Sequence, residues 1–218
     1  MTSKSSCSAV EALRKLRDGN ARFVDNDRCI DTYLGHTKLD EHLGGQSPYA
    51  VILGCSDSRV PVEIIFDVGI GDLFVIRVAG NIVAPSLIGS VEFAAENFGS
   101  RLVVVLGHTG CGAIEATIDS ISGPDLPDSE NINSIISSIR PGIEALVATA
   151  EGDDRARLIN RAVRENVRSM ADSLRHGSRK LERLIAMDGL KVVGADYSLE
   201  TGVVEFFDGV PKGADGRR

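Results

Sequence analysis

The sequence predicts a single α/β domain spanning residues 1–218. Its centre is a mostly parallel sheet of four strands plus an antiparallel edge strand, flanked by helices, with an N-terminal helical arm. Short apolar runs ending in glycine or polar residues, Tyr49-Ala50-Val51-Ile52-Leu53-Gly54 and Leu102-Val103-Val104-Val105-Leu106, read as strands buried on both faces. Stretches of helical periodicity separate such runs, as parallel crossovers require. Near the C-terminus, Leu199-Glu200-Thr201-Gly202 lies between a pair of strand-like runs and reads as a hairpin turn.

Residues 9–25 carry Val10, Leu13, Leu16, Phe23 and Val24 among charged residues, an amphipathic helix interrupted at Gly19-Asn20. Residues 36–45 fit a short helix closed by Gly44-Gly45, with His36 and His42 facing solvent. The first strand ends at Gly54, and Pro61 suits the first position of a short helix reaching Asp67. Asp72 to Val78 is the second strand. Pro85 to Phe98 is a helix that turns Leu87, Ile88, Val91 and Ala95 to the sheet and stops at Gly99. The third strand, 102–106, leads into a helix ending near Ile121.

Ser122 to Asp128 is the clearest loop, but a strand still lies beyond it, so the domain is not divided there. Helices are predicted over 131–140, 142–149, 153–175 and 178–187, with Pro141 as the break between the first pair. The 153–175 segment interleaves Arg155, Arg157, Arg161, Arg164, Arg168 and Arg175 with acids, a solvated or interface face with i,i+4 pairs. Residues 190–197 form the fourth strand and 203–207 its hairpin partner, while 1–8 and 211–218 are expected to fray.

Apolar content of 43% and charged content of 25% are ordinary for a soluble domain of this length. A net charge of −7 and a pI near 5.1 argue against a nucleic-acid partner, which calls for a basic stripe. Met1 to Val10 is polar and lacks the apolar core of a signal peptide, and no run is long enough to span a membrane. A cytoplasmic location is expected. Of the four cysteines, Cys7 and Cys29 are left for a disulfide or, in a reducing compartment, for free thiols.

Two motifs follow the buried strands: Cys55-Ser56-Asp57-Ser58-Arg59 and Gly107-His108-Thr109-Gly110-Cys111-Gly112. The C-terminal ends of neighbouring parallel strands form the usual site crevice of an open α/β sheet. If residues 55–59 stay extended, Cys55, Asp57 and Arg59 share a face. If a helix begins near His108, then His108 and Cys111 share one too. A buried cysteine alone is most often a small hydrophobe. Together at two strand ends, Cys55, His108 and Cys111 are instead the donor set of a zinc site, with a fourth position for water or a carboxylate. Three protein ligands and one open position mark a catalytic zinc, and an arginine two residues from Asp57 would keep that carboxylate ionised.

With C-S-D-S-R followed about fifty residues later by G-H-T-G-C-G, the chain resembles the β-class carbonic anhydrases. The likeness extends to Ala12-Leu13-Arg14-Lys15-Leu16, Gly19-Asn20-Ala21-Arg22-Phe23, Gln46-Ser47-Pro48, Gly80-Asn81-Ile82, Ser90-Val91-Glu92-Phe93-Ala94 and Leu190-Lys191-Val192-Val193-Gly194. It covers roughly residues 9–208. The resemblance implies reversible hydration of CO2 to bicarbonate and a proton by attack of zinc-bound hydroxide, with one Zn2+ per chain. It implies a tight apolar pocket walled by Phe74, Ala79, Val83 and Phe93 near Gly112, with Gln46 hydrogen-bonding the substrate oxygen. Some walls come from a neighbouring subunit, so a dimer or a dimer of dimers is expected, with the 9–25 segment packed across the partner. Asp57 is expected to accept a hydrogen bond from zinc-bound water, or, freed from Arg59, to close the site on zinc.

Two departures stand out. Relatives often have Arg-Asn-Ala-Gly-Asn where this chain has Arg77-Val78-Ala79-Gly80-Asn81, and Tyr where it has Phe93, which removes a hydroxyl from the pocket wall. Members with an allosteric bicarbonate pocket use a Trp there, and this chain has none, so an open site near neutral pH is expected. Two alternatives stay open: hydrolysis of a CO2 analogue such as carbon disulfide or carbonyl sulfide, and a zinc-binding regulatory protein without catalysis. No motif places a histidine as proton shuttle, and His36, His42 and His176 are unassigned.

Overall fold

Runs rich in Val, Ile and Leu form the strands β1 (Ala50–Gly54), β2 (Leu73–Arg77), β3 (Leu102–His108), β4 (Lys191–Tyr197) and β5 (Val204–Asp208). The structure is a computed structural model and describes residues 7–28, 43–123, 129–150, 152 and 154–213. The strands form one sheet in the order β2-β1-β3-β4-β5, with the first four parallel and β5 antiparallel to β4. That is the predicted architecture.

Successive side chains alternate across the sheet and feed two apolar layers. Val51, Leu53, Val103, Val105 and Val192 pack in one layer with α3 (Pro85–Phe93), α4 (Gly112–Ser122), α5 (Glu130–Ala148), α6 (Arg155–His176) and α7 (Arg179–Met187). Ala50, Ile52, Leu102, Val104, Leu106 and Val193 pack in the other with α1 (Ala9–Val24) and α2 (Val62–Ile65). With both faces covered, β1 and β3 are buried at every position, which is why they read as unbroken apolar runs.

α1 begins in a capping box, in which Ser8 accepts from the Glu11 N–H and the Glu11 carboxylate accepts from the Ser8 N–H at 2.9 Å. Gly19-Asn20 does not interrupt it. A Cβ at Gly19 would lie 1.8 Å from the Phe66 carbonyl oxygen, so glycine lets α1 close on α2. The buried Asn20 amide donates to Ile65 O at 3.2 Å and Gly202 O at 2.9 Å, and accepts from the Val204 N–H at 2.8 Å. Its Ala9, Ala12, Leu13 and Leu16 side chains are thus seated on the chain's own sheet.

Pro141 does not break the chain into separate helices either: α5 runs through it without interruption. Ile136, Ile139 and Ile143 form one buried stripe on both sides of the proline, and this shared packing outweighs the missing backbone donor. α3 passes into a π-helical turn, Ala94–Phe98, and ends at Gly99 with φ 72°.

Three of the α6 arginines reach other elements. Arg155 meets Asp119 at 2.7 Å, Arg164 meets Glu205 at 2.7 Å, and Arg175 bonds Asp208, while Arg168 pairs with Glu165 in i,i+3 spacing. Among the described residues no helix is long and apolar enough to cross a membrane. Most of the helix expected over 36–45, Cys29, His36 and His42 fall outside the described residues, as do 1–6 and 214–218 of the expected tails.

Candidate metal centre

Neighbouring strands β1 and β3 deliver the two motifs to the same edge of the sheet. Gly54 pairs with Leu106, so Cys55 follows the end of β1 just as β3 reaches His108, its last residue. β3 is therefore two residues longer than predicted. Thr109-Gly110 then turns the chain, with Gly110 at φ 64°, and Cys111 is the N-cap residue of α4. The turn is pinned to β4 by the Thr109 N–H on Tyr197 O and to the hairpin by the Leu199 N–H on Thr109 Oγ1, each at 3.0 Å.

The ligand atoms of Cys55, His108 and Cys111 lie within 4.8 Å of one another, and all three residues are buried. They converge by a turn and not, as expected, by the i,i+3 face of a helix. The His108 Nδ1 lies 3.0 Å from Thr109 O, which assigns its proton to that nitrogen. Among the described residues His108 Nε2 is left buried without a hydrogen-bond partner. An unprotonated ring nitrogen beside two sulfurs, with nothing to accept, is the donor set a zinc ion requires. The residues present fit the metal.

Electrostatics at the two sulfurs agree. The Cys111 thiol and the Gly80 N–H, the latter at 3.4 Å from Cys55 Sγ, favour a Cys55 thiolate and lower its pKa. Cys111 is pushed up, by the bond it shares with Cys55 and by burial.

The segment after Cys55 is not extended. The Val60 N–H donates to Asp57 O at 3.0 Å, closing a turn that brings Arg59 back onto Asp57. Arg59 grips both carboxylate oxygens, Nε on Oδ1 at 2.9 Å and Nη2 on Oδ2 at 2.7 Å. This fork, seconded by the Arg59 N–H, holds the Asp57 carboxyl well below the usual carboxylate range. Asp57 Oδ2 lies 3.9 Å from His108 Nε2, facing the three donors.

A family model described as carbonic anhydrase matches residues 50–204, which includes both motifs. Carbonic anhydrase 2 of Mycobacterium tuberculosis is 34% identical over 198 residues, covering 88% of this chain and 90% of the relative. The carbonic anhydrase of Mycolicibacterium smegmatis is 34% identical over 196 residues, covering 90% and 92%. Among solved structures, the β-carbonic anhydrase CafA of Aspergillus fumigatus superposes with a TM-score of 0.71 at 26% identity over 84% of this chain and 88% of that one. A β-carbonic anhydrase of Sordaria macrospora gives a TM-score of 0.72 at 24% identity over 80% and 89%. This chain belongs to the β-carbonic anhydrase family.

Within this β-carbonic anhydrase chain the residues expected to wall the pocket divide into two groups. Ala79 and Gly112 lie beside the donors: Ala79 precedes Gly80, whose N–H reaches Cys55, and Gly112 follows Cys111. Gln46 is exposed and lies four residues before β1, at the opposite end of the strand from Cys55. Phe74 pairs with Val51 near that same end and clusters with Phe93 and Phe98, at 6.4 and 6.0 Å between ring centroids. Phe93 is 52% exposed. At a strand rise of ~3.3 Å per residue, Phe74, level with Val51, lies ~13 Å along the sheet from Cys55 of the same chain. Val83 is half-buried and donates its N–H to Met170 Sδ at 3.2 Å.

The sequence reading missed two contributors. Arg77 stood out only as a motif residue, yet its Nε and Nη2 hold the carbonyls of Cys55 and Asp57. Asn166 is 1% exposed on the apolar stripe of α6 between Val163 and Val167, where a polar residue at helical spacing was the available signal. His176 sits at the exposed end of α6, 3.0 Å from Asp172 and away from the donors.

Proposed function

We propose that this protein is a zinc-dependent carbonic anhydrase that interconverts CO2 with bicarbonate and a proton, with one zinc per chain held by Cys55, His108 and Cys111. The observation that carries the reading is the buried, unpartnered His108 Nε2 facing two sulfurs. Zinc bound there supplies Lewis-acid activation of water near neutral pH. Asp57 Oδ2 accepts a hydrogen bond from the attacking water and aims its lone pair, and Arg59 keeps that carboxylate ionised. Arg59 also occupies both carboxylate oxygens, which keeps Asp57 off the fourth position and the site open.

Ala79 and Gly112 border the CO2 site from the same chain. Gln46, Phe74 and Phe93 serve it from a second copy, since their own chain carries them away from its Cys55. The exposed Phe93 ring and the edge strand β2 suit such a contact, so a dimer or a dimer of dimers follows. The Sordaria macrospora neighbour is described as tetrameric. A reducing cytoplasmic setting keeps the two sulfurs available to metal.

Metal analysis of the purified protein is expected to give one zinc per chain, and a stopped-flow assay to give CO2 hydration that Cys55→Ser lacks. Zinc-loaded protein no faster than Cys55→Ser would overturn the reading. Faster turnover of carbon disulfide or carbonyl sulfide than of CO2 in side-by-side assays would reassign the substrate.

A further inference from the structure

Gly80 sits in a 3-10 turn, Ala79–Asn81, with φ 68° and ψ 16°, and donates its N–H to Cys55 Sγ at 3.4 Å. Two features force a glycine here. The dihedral is left-handed, and a Cβ would lie 2.7 Å from Ile139 Cδ1 and 3.2 Å from Ala113 Cβ. The same freedom lets the two peptides that meet at Gly80 turn about it, so something else must hold the turn. The Asn166 Nδ2 donates to Gly80 O at 2.9 Å from the buried face of α6.

The platform that carries Asn166 is rigid. Val163 and Val167, three residues before it and one after, press on Gly107, where a Cβ would come within 2.8 and 2.6 Å of them. Gly107 is the residue before His108, so α6 is keyed to the strand that presents the imidazole. Among the described residues the Asn166 Oδ1 is itself buried without a hydrogen-bond partner. Gly80 O can only accept, which assigns the amide nitrogen to it.

We infer that Asn166 is a positioning residue for the metal centre: by clamping Gly80 O it anchors the 80–81 peptide of this turn and so limits how the adjoining 79–80 peptide, whose N–H meets the Cys55 sulfur, can turn. The inference rests on the reading of Cys55, His108 and Cys111 as metal ligands. A thiolate that accepts this bond is less electron-rich, and its lone pairs are turned toward the imidazole and the second sulfur. Outer-shell partners of this kind typically change metal affinity by ~10- to 100-fold.

The test uses Asn166→Leu, which keeps the volume and removes the donor, with Asn166→Ala as a second variant that cannot overpack the site. Met170→Leu is the control, because it removes the sulfur that accepts the Val83 N–H from the same helix without touching Gly80. Zinc affinity is read by competition with a chromophoric chelator, and the sulfur directly by the thiolate charge-transfer band of the cobalt-loaded protein. Both Asn166 variants are expected to bind zinc ~10- to 100-fold more weakly and to move the cobalt band to longer wavelength. Met170→Leu is expected to do neither. Folded Asn166 variants with native affinity and an unshifted band, or Met170→Leu with equal effects, would overturn the inference. Native protein that fails to compete with the chelator would instead overturn the ligand reading beneath it.

Discussion

Arg77 Nη2 donates to the Asp57 carbonyl at 2.6 Å, and Nε of the same guanidinium donates to the Cys55 carbonyl at 3.0 Å. One side chain at the end of β2 thus holds the backbone on which Cys55 and Asp57 both sit. A lysine keeps the charge but cannot reproduce the fork.

Arg77→Lys is therefore expected to lower kcat/KM for CO2 hydration by ~10-fold or more while the protein stays folded. The check is steady-state kinetics alongside far-UV circular dichroism. Native kinetics in the variant would show that the fork is not needed to hold the loop.

Asp57→Asn keeps the shape and removes the acceptor charge, so kcat/KM should fall by ~10²-fold with zinc retained. Arg59 controls the same group in a pH-dependent way. Its fork lowers the folded-state pKa of Asp57 below the unfolded value, so the pair stabilises the fold above about pH 4 and is lost as pH falls below that. The difference in thermal midpoint between native protein and Arg59→Ala should therefore shrink on acidification below about pH 4. A difference that persists there would mean that Arg59 stabilises the fold through some other contact.

Asp196 on β4 behaves in the opposite sense. Burial pushes its pKa up to about 6 despite the nearby Arg164 guanidinium, with Glu205 adding to the rise and His108 opposing it. The folded chain thus holds this proton more tightly than the unfolded one, so stability contributed by neutral Asp196 is lost as pH rises from about 4 through 6. Asp196→Asn should raise stability above pH 7 by on the order of 2 kcal/mol and change little near pH 4. Denaturant unfolding at both pH values decides it.

Asn20→Ala leaves a buried N–H and two carbonyls without their partner. The expected loss is ~2–4 kcal/mol, seen as a lower urea midpoint.

These positions also mark how far the sequence could be read. The donors were legible because Cys55, His108 and Cys111 stand at the ends of apolar runs, and a strand end is a local property. Their backbone setting was not: a helix and a tight turn both bring residues 108 and 111 together, and the pinning bonds from Tyr197 and Leu199 to Thr109 come from far along the chain. Gly19-Asn20 and Pro141 carry breaker chemistry and read as breaks. Both were overridden by tertiary packing, Phe66 on Gly19 and the isoleucine stripe across Pro141. Gln46, Phe74 and Phe93 were named by resemblance, and residue types alone say nothing about which copy of a chain they serve.

Asn20 ties the first helix to backbone that is synthesised long after it, 182 and 184 residues downstream. As the chain emerges from the ribosome, α1 can meet Ile65 early, but two of its three clasps must wait for Gly202 and Val204. α1 is thus fully clasped only once residues 202–204 are made, and a chain cut before residue 202 would lack two of the three Asn20 bonds.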